Sequence, residues 1–300
     1  MKTFSGRTAV ITGAASGFGL EVSRLAAHKG MNLVMADVQA DVLDRAVAEL
    51  TGLGARVVAV RADVAKAADV DAMARATVDA FGAPHFVFNN AGVGGGGLIW
   101  ETSVKDWEWV LGVNVMGVVH GVRAFTPMML DAARRDPDYE GHIVNTSSMA
   151  GLLSAPNMGV YNVSKHAVVT LSETLYQDLK LVTDQVTASV LCPYFVPTGI
   201  AASDRNRPSE NADTPATRSQ LVARAMGEKA VSSGKVTAAG VAQLVFDALA
   251  ERRFYIYSHP QALGIVKARL DEVTTGANPS DPFAQRPEIG EMLRKALRDA

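Results

Sequence analysis

The 300-residue sequence has a single cysteine, Cys192, and that scarcity excludes an intrachain disulfide. It also has no excess of one charge: 29 Lys and Arg face 31 Asp and Glu, for a formal net charge of −2. A chain so balanced offers no basic face to a nucleic-acid backbone. No apolar run approaches the ~18 residues that would span a bilayer. The opening stretch, MKTFSGRTAVITGAASG, reaches glycines too soon for the apolar core of a signal peptide. The six histidines show neither HExxH nor a Cys/His ligand spacing, so no metal is expected. What is present, 48% hydrophobic and 20% charged residues, is too apolar for disorder and suffices for a sizeable core. These properties predict a soluble, cytoplasmic globular protein that binds neither nucleic acid nor membrane.

Short apolar runs alternate with longer amphipathic ones. Residues 8–12, 32–37, 56–60, 86–90, 142–147 and 186–192 read as strands apolar enough to be covered on both faces. Residues 17–29, 39–53, 66–81, 103–134 and 157–181 have helical spacing, and Ser103 with Asp106 resembles a capping box. This rhythm predicts an α/β fold, a doubly wound parallel sheet of the Rossmann type with about seven strands. Neither repeat nor linker divides the chain, so residues 1–260 are read as one catalytic domain and 261–300 as a C-terminal extension. Residues 132–141 form a polar insertion, and 198–235 a long loop or partly helical lid. Then come a helix at 238–252, a last strand at 254–257 and a short helix at 261–272. The tail from Gly276 shows no clear pattern.

The segment Thr12-Gly13-Ala14-Ala15-Ser16-Gly17-Phe18-Gly19 leaves the first strand and opens the first helix. Such a turn lets backbone amides approach a pyrophosphate at the positive end of a helix, although glycine patterns alone are weak evidence. Asp37 strengthens it, ending the second strand near the offset at which an acid accepts ribose hydroxyls. A carboxylate there repels a 2′-phosphate, and neither Ser16 nor Val38 is basic, so NAD is favoured over NADP. A second GxGxxG, from Gly92 to Gly97, has no acid at the right offset and no immediate helix. It reads as a flexible loop close to the ligand.

Tyr161 and Lys165 lie four apart on one helical face. Tyr176 and Lys180 repeat that spacing, but about 22 Å further along the axis. Ligands of an open α/β sheet bind near helix starts, so Tyr161 is the better candidate and Tyr176 a packing residue. An ammonium about 4 Å from a phenol, at an effective dielectric near 20, favours the phenolate by about 4 kcal/mol. That is close to 3 pKa units, enough to bring a tyrosine towards the operating pH.

Together these residues resemble the short-chain dehydrogenase/reductase family, in its subdivision with a TGxxxGxG loop and a YxxxK active site. The agreement runs in order through most of residues 6–198 and includes Asp63-Val64, Asn89-Asn90-Ala91-Gly92, Asn114, Ser148 and Tyr161-Asn-Val-Ser-Lys165. The resemblance implies that Tyr161 moves the hydroxyl proton and that Lys165 lowers its pKa and holds the nicotinamide ribose. It also implies that Ser148 binds the substrate oxygen and that Asn114, inside the long helix, positions a water linking Lys165 to solvent. Cofactor contacts are implied at Gly13, Ser16, Gly17, Phe18, Gly19, Asp37, Asp63, Val64, Asn90, Gly92, Val196 and Thr198.

One stretch departs from the family pattern. Tyr194 stands where a Pro-Gly turn has glycine, so the turn must differ or accept strain. Trp100, Met149, Tyr194 and Phe195 are candidates to line an apolar substrate pocket, and Cys192 reads as a buried thiol without a role. The implied activity is NAD-dependent oxidation of a secondary alcohol, hydrophobic or aromatic, or reduction of the ketone. An NADPH-linked ketoacyl reductase and a catalytically silent NAD(H)-binding regulator are the alternatives. A homodimer or homotetramer through helices 103–134 and 157–181 is implied as well.

Overall fold

The computed structural model describes residues 1, 3–208 and 215–298. Seven strands among them, β1 (Thr8–Thr12), β2 (Asn32–Asp37), β3 (Val57–Arg61), β4 (Phe86–Asn89), β5 (Gly141–Thr146), β6 (Val186–Cys192) and β7 (Tyr255–Tyr257), form one sheet. All pairs are parallel and the order is β3-β2-β1-β4-β5-β6-β7. The expected doubly wound sheet is therefore present, with expected strand edges displaced by a residue at most.

Period-two alternation splits each strand between two cores. Ala9 and Ile11 of β1 pack with Val22 and Ala26 of helix α1 (Gly17–His28) and with Val241, Val245 and Phe246 of α8 (Ala238–Glu251). Val10, between them, joins Val70 and Met73 of α3 (Ala67–Phe81) and Phe125 and Met129 of α5 (Gly117–Arg135) on the other face. Each of the larger side chains, such as Ile11, Val22 and Phe246, contributes about 1.5–3 kcal/mol by burial. A strand shifted by one residue would exchange the two sets, so the register is strongly specified.

The direction of winding reverses between β1 and β4, which are paired although α2 (Ala40–Gly52), α3 and two strands separate them in sequence. Above the carboxyl ends of that pair a crevice is unavoidable, because the following connections run to opposite faces.

Four findings refine or differ from the sequence expectations. The helix expected over 103–134 is α4 (Val104–Leu111), a π-helical turn (Gly112–Met116) and then α5. The Ser103–Asp106 capping box is formed at its start. The expected lid contains a short 3₁₀ segment (Gly199–Asn206) and a helix, α7 (Arg218–Ser232), while its residues 209–214 lie outside those described. The glycine run at 92–97 is packed, not loose. A Cβ on Gly96 would lie 2.5 Å from Cβ of Ala223 in α7, and one on Gly97 2.8 Å from Gln220. Beyond α9 (Leu263–Thr275), the tail holds a helix, α10 (Pro287–Arg298), that packs against α7. Pro287 opens α10 at a position where its missing N–H costs nothing, and Gly290 admits the Phe283 ring.

Candidate active site

The first turn after β1 is shaped by backbone contacts that exclude side chains. Gly13 and Gly17 have φ of +63° and +54°, a region that favours glycine. A Cβ on Gly19 would lie 2.1 Å from the carbonyl oxygen of Gly13. Gly19 thus lets α1 pack closely on the turn and does not itself line the crevice. Ser16 caps α1 without a side-chain hydrogen bond, and the first-turn N–H groups of a helix have no intrahelical acceptor. Asp37, 8% exposed at the end of β2, braces the same turn: Oδ2 accepts from Ala15 N at 3.1 Å and Oδ1 from Gln39 N at 3.0 Å. A carboxylate has about four acceptor sites, so two remain for a ribose.

These groups line a cleft of about 400 Å³. Its walls include Gly13, Ser16, Gly17, Phe18, Asp37, Asp63, Val64, Asn90 and Gly92, together with Ser148, Tyr161, Lys165, Tyr194, Val196 and Thr198. Asn90 is held by Nδ2 donating to the carbonyl of Thr12 at 3.0 Å, so β4 and the glycine turn move as a unit. Asp63 Oδ1 accepts from Ala65 N at 3.1 Å.

Helix α6 (Gly159–Val182) carries Tyr161 and Lys165 on one face. Lys165 is 3% exposed and its Nζ donates to the Thr146 carbonyl at 3.0 Å, 5.6 Å from the centre of the Tyr161 ring. Burial pulls its pKa down to about 8. Burial also pushes Tyr161 up to about 12, with a hydrogen bond to Ser148 acting in the opposite direction. The acidified phenol expected from simple Coulomb arithmetic is therefore not a property of the protein alone. Desolvation of the phenolate dominates, and the Lys165 amine is itself half-discharged near pH 8.

Ser148 lies at the end of β5 and caps a 3₁₀ turn (Met149–Gly151), accepting from Ala150 N at 3.1 Å. Its neighbour Ser147 is turned to structure, donating to the Lys165 carbonyl at 2.7 Å. Asn114 sits in the π-helical turn, where the extra residue per turn brings its amide inward. Oδ1 accepts from Val93 N at 2.8 Å, while Nδ2 donates to Val93 O at 3.0 Å and to Ser164 Oγ at 3.1 Å. A Cβ on Gly92 would meet Asn114 Oδ1 at 3.4 Å and Lys165 Nζ at 3.6 Å. Asn114 thus lies behind the cleft, with only the space over Gly92 between it and the amine.

The apolar candidates divide. Tyr194 lines the cleft, stacked on Phe195 with ring centroids 4.2 Å apart, and its N–H donates to Ser258 Oγ at 3.0 Å. Its backbone is not in the left-handed region, so replacing glycine there stores no strain. Trp100 is 77% exposed and Met149 fully buried, and neither they nor Phe195 line the cleft. Hydrophobicity near the motif cannot separate a wall from a core or a surface. Trp109 and Glu108 of α4 and Arg205 and Asn206 of the lid do line it. The capping box marks where α4 begins but not which of its faces turns inward, so the sequence carried no signal for the first pair. Tyr176 packs against Phe254 at 4.9 Å, with Lys180 over its ring, as expected of a packing residue. Cys192 is buried, which pushes its thiol up to about 12.

The lid is fastened to the rim of this cleft. Asp106 of the capping box accepts from Arg207 Nη1 at 2.5 Å and from Gln220 Nε2 at 3.1 Å. Burial would raise its pKa, but the hydrogen bonds from Ser103 and Arg207 hold the carboxyl below its usual range.

Residues 7–209 match the family model described as short chain dehydrogenase. The chain belongs to the short-chain dehydrogenase/reductase family. Among solved structures it resembles a family member from Burkholderia phymatum in complex with NAD, with 52% identity, a TM-score of 0.91, and coverage of 95% of this chain and 100% of that one. A "CLA biosynthesis dehydrogenase/reductase" from Lactiplantibacillus plantarum is 32% identical, covering 93% of this chain and 97% of its own. A 1-deoxy-11-beta-hydroxypentalenate dehydrogenase from Streptomyces exfoliatus is 36% identical, over 89% and 88%. Residues of the glycine turn, Ser148 and the Tyr161–Lys165 pair all fall within the matched range and line one cleft.

Proposed function

We propose that the protein is an NAD-dependent oxidoreductase that interconverts a secondary alcohol, hydrophobic or aromatic, and its ketone. The observation that carries this reading is the meeting of Tyr161, Ser148 and Lys165 with the glycine turn and Asp37 in one cleft. The residues suit a dinucleotide. Gly13 and Gly17 free backbone for a diphosphate, and Asp37 offers acceptors to ribose hydroxyls while repelling a 2′-phosphate. The NAD complex of the Burkholderia phymatum relative, at 52% identity, supports the same choice.

When bound, NAD supplies the hydride acceptor or donor. The chain's own residues handle the proton and the orientation. Ser148 Oγ donates to the substrate oxygen, fixing the carbon that changes oxidation state relative to the nicotinamide. Tyr161 Oη takes the hydroxyl proton in oxidation and returns it in reduction. Lys165 Nζ, bonded to the Thr146 carbonyl, holds positive charge below the phenol and favours its ionised form. Asn114 keeps the backbone of Val93 in place beside that amine and holds the path by which a water relays the proton outward. Tyr194 and Trp109 present aromatic surface to the substrate. The assembly is read as a homo-oligomer, with Met116 and Val163 exposed on the helices implied for contact.

A panel of secondary alcohols with NAD and of ketones with NADH tests this reading, followed by Tyr161→Phe. Loss of turnover by at least about a thousandfold, with NADH affinity within about threefold, is expected. NADH binding without turnover of any panel member would instead favour a silent regulator.

A further inference from the structure

The cleft that receives the dinucleotide carries few cations for a ligand whose diphosphate bears two negative charges. Residues 12–19 contain no Lys or Arg. The acids Asp37, Asp63 and Glu108 line the same cleft. Among the described lining residues the cationic side chains are Lys165 and Arg205, and Lys165 is committed to Thr146 beside Tyr161. Arg205 comes from the lid.

Its position follows from a chain of close contacts. Gly17, in the glycine turn, has Thr198 as its neighbour across the cleft: a Cβ there would lie 3.5 Å from Thr198 Cβ. The next residue, Gly199, receives the guanidinium, its carbonyl accepting from Arg205 Nη1 at 2.8 Å, while the same nitrogen donates to Ala202 O at 2.7 Å. Those two bonds fix the plane of the guanidinium. They leave Nη2 and Nε, on the other edge of the fork, without a hydrogen bond to any described residue.

We propose that Arg205 is a cofactor-binding residue: the lid places its guanidinium against the diphosphate of the bound dinucleotide, opposite the glycine turn. The turn contributes backbone N–H groups from one side, and the lid contributes a planar two-pronged donor from the other. This inference rests on NAD occupying the cleft as proposed above.

The test is equilibrium binding, read without turnover, on the wild type, Arg205→Gln and Arg205→Lys. Glutamine still reaches a carbonyl but carries no charge; lysine keeps the charge and loses the fork. NADH is followed by its fluorescence, and ADP and adenosine by competition. Arg205→Gln is expected to weaken NADH and ADP about tenfold, Arg205→Lys less, with adenosine unchanged in both. The penalty should shrink as salt is raised. NADH and ADP affinities within twofold of wild type would overturn the proposal and leave Arg205 as a brace of the lid. Equal weakening of ADP and adenosine would overturn it too, as a general loss of the pocket. Failure of the wild type to bind NADH at all would instead refute the cofactor assignment.

Discussion

Asp37→Asn separates the two tasks of one carboxylate. In the native protein its oxygens accept from Ala15 N and Gln39 N, and its charge faces the ribose site. Asparagine has the same shape but one acceptor oxygen, so one of those N–H groups is left against an NH₂. An unmet buried donor costs about 1–3 kcal/mol, which a large domain shows as a loss of several degrees in Tm. The electrostatic effect is larger and of opposite sign for NADPH. A 2′-phosphate of about −1.5 charge, roughly 5 Å from a carboxylate at an effective dielectric near 20, is repelled by about 5 kcal/mol. The cleft is open to water, so about half of that survives screening. Removing the charge should therefore shift the ratio of NADPH to NADH affinity about a hundredfold towards NADPH. Parallel fluorescence titrations of the two nucleotides, with thermal melts, measure both effects. A ratio that moves less than about fivefold would refute the argument that this charge selects the cofactor.

Because burial holds Tyr161 near 12 in the protein alone, alcohol oxidation should rise with pH as the phenol becomes able to accept a proton. Ketone reduction, which needs the protonated phenol, should fall along the same limb. Paired kcat/KM profiles with NAD and NADH measure this, and an oxidation rate flat across about pH 6 to 10 contradicts Tyr161 as the base. His142 is buried in β5 against Ser189, and burial lowers its pKa from 6.5 to about 3. The unfolded chain binds a proton that the folded one refuses, so this stability is complete above about pH 6.5 and is lost as pH falls towards about 3. About 2 kcal/mol should disappear between about pH 7 and about pH 5; denaturant unfolding of His142→Gln should show a shallower acid loss, and an unchanged slope would reject it. Gly96→Val should displace α7, because the space is filled by Ala223. Substrate KM should rise about tenfold, and an unaltered KM would show that the lid position does not matter.

How legible the molecule was depends on what each signal encodes. The β1 and β2 runs and the glycine turn were readable because period, burial and backbone space act within a few residues. The Tyr161–Lys165 pair was readable as geometry, since four residues make one helical turn. Its pKa was not: the charge–charge part follows from spacing, but desolvation depends on what the rest of the chain packs around the phenol. Asn114 was identified, yet its π-helical turn was hidden because Gly112–Met116 keeps an ordinary apolar spacing. Trp100 and Met149 failed as pocket residues because an apolar side chain carries no label for surface, core or wall. The closing of the glycine run against α7 and of α10 against α7 are long-range contacts, invisible until both partners are placed.

The packing of α10 on α7 ties a helix distant in sequence from the reacting groups to the lid beside the cleft. Substitutions far from the chemistry thus have a mechanical route to substrate preference that leaves proton transfer intact. Directed evolution of substrate scope can begin at Leu293, the large buried side chain of that helix.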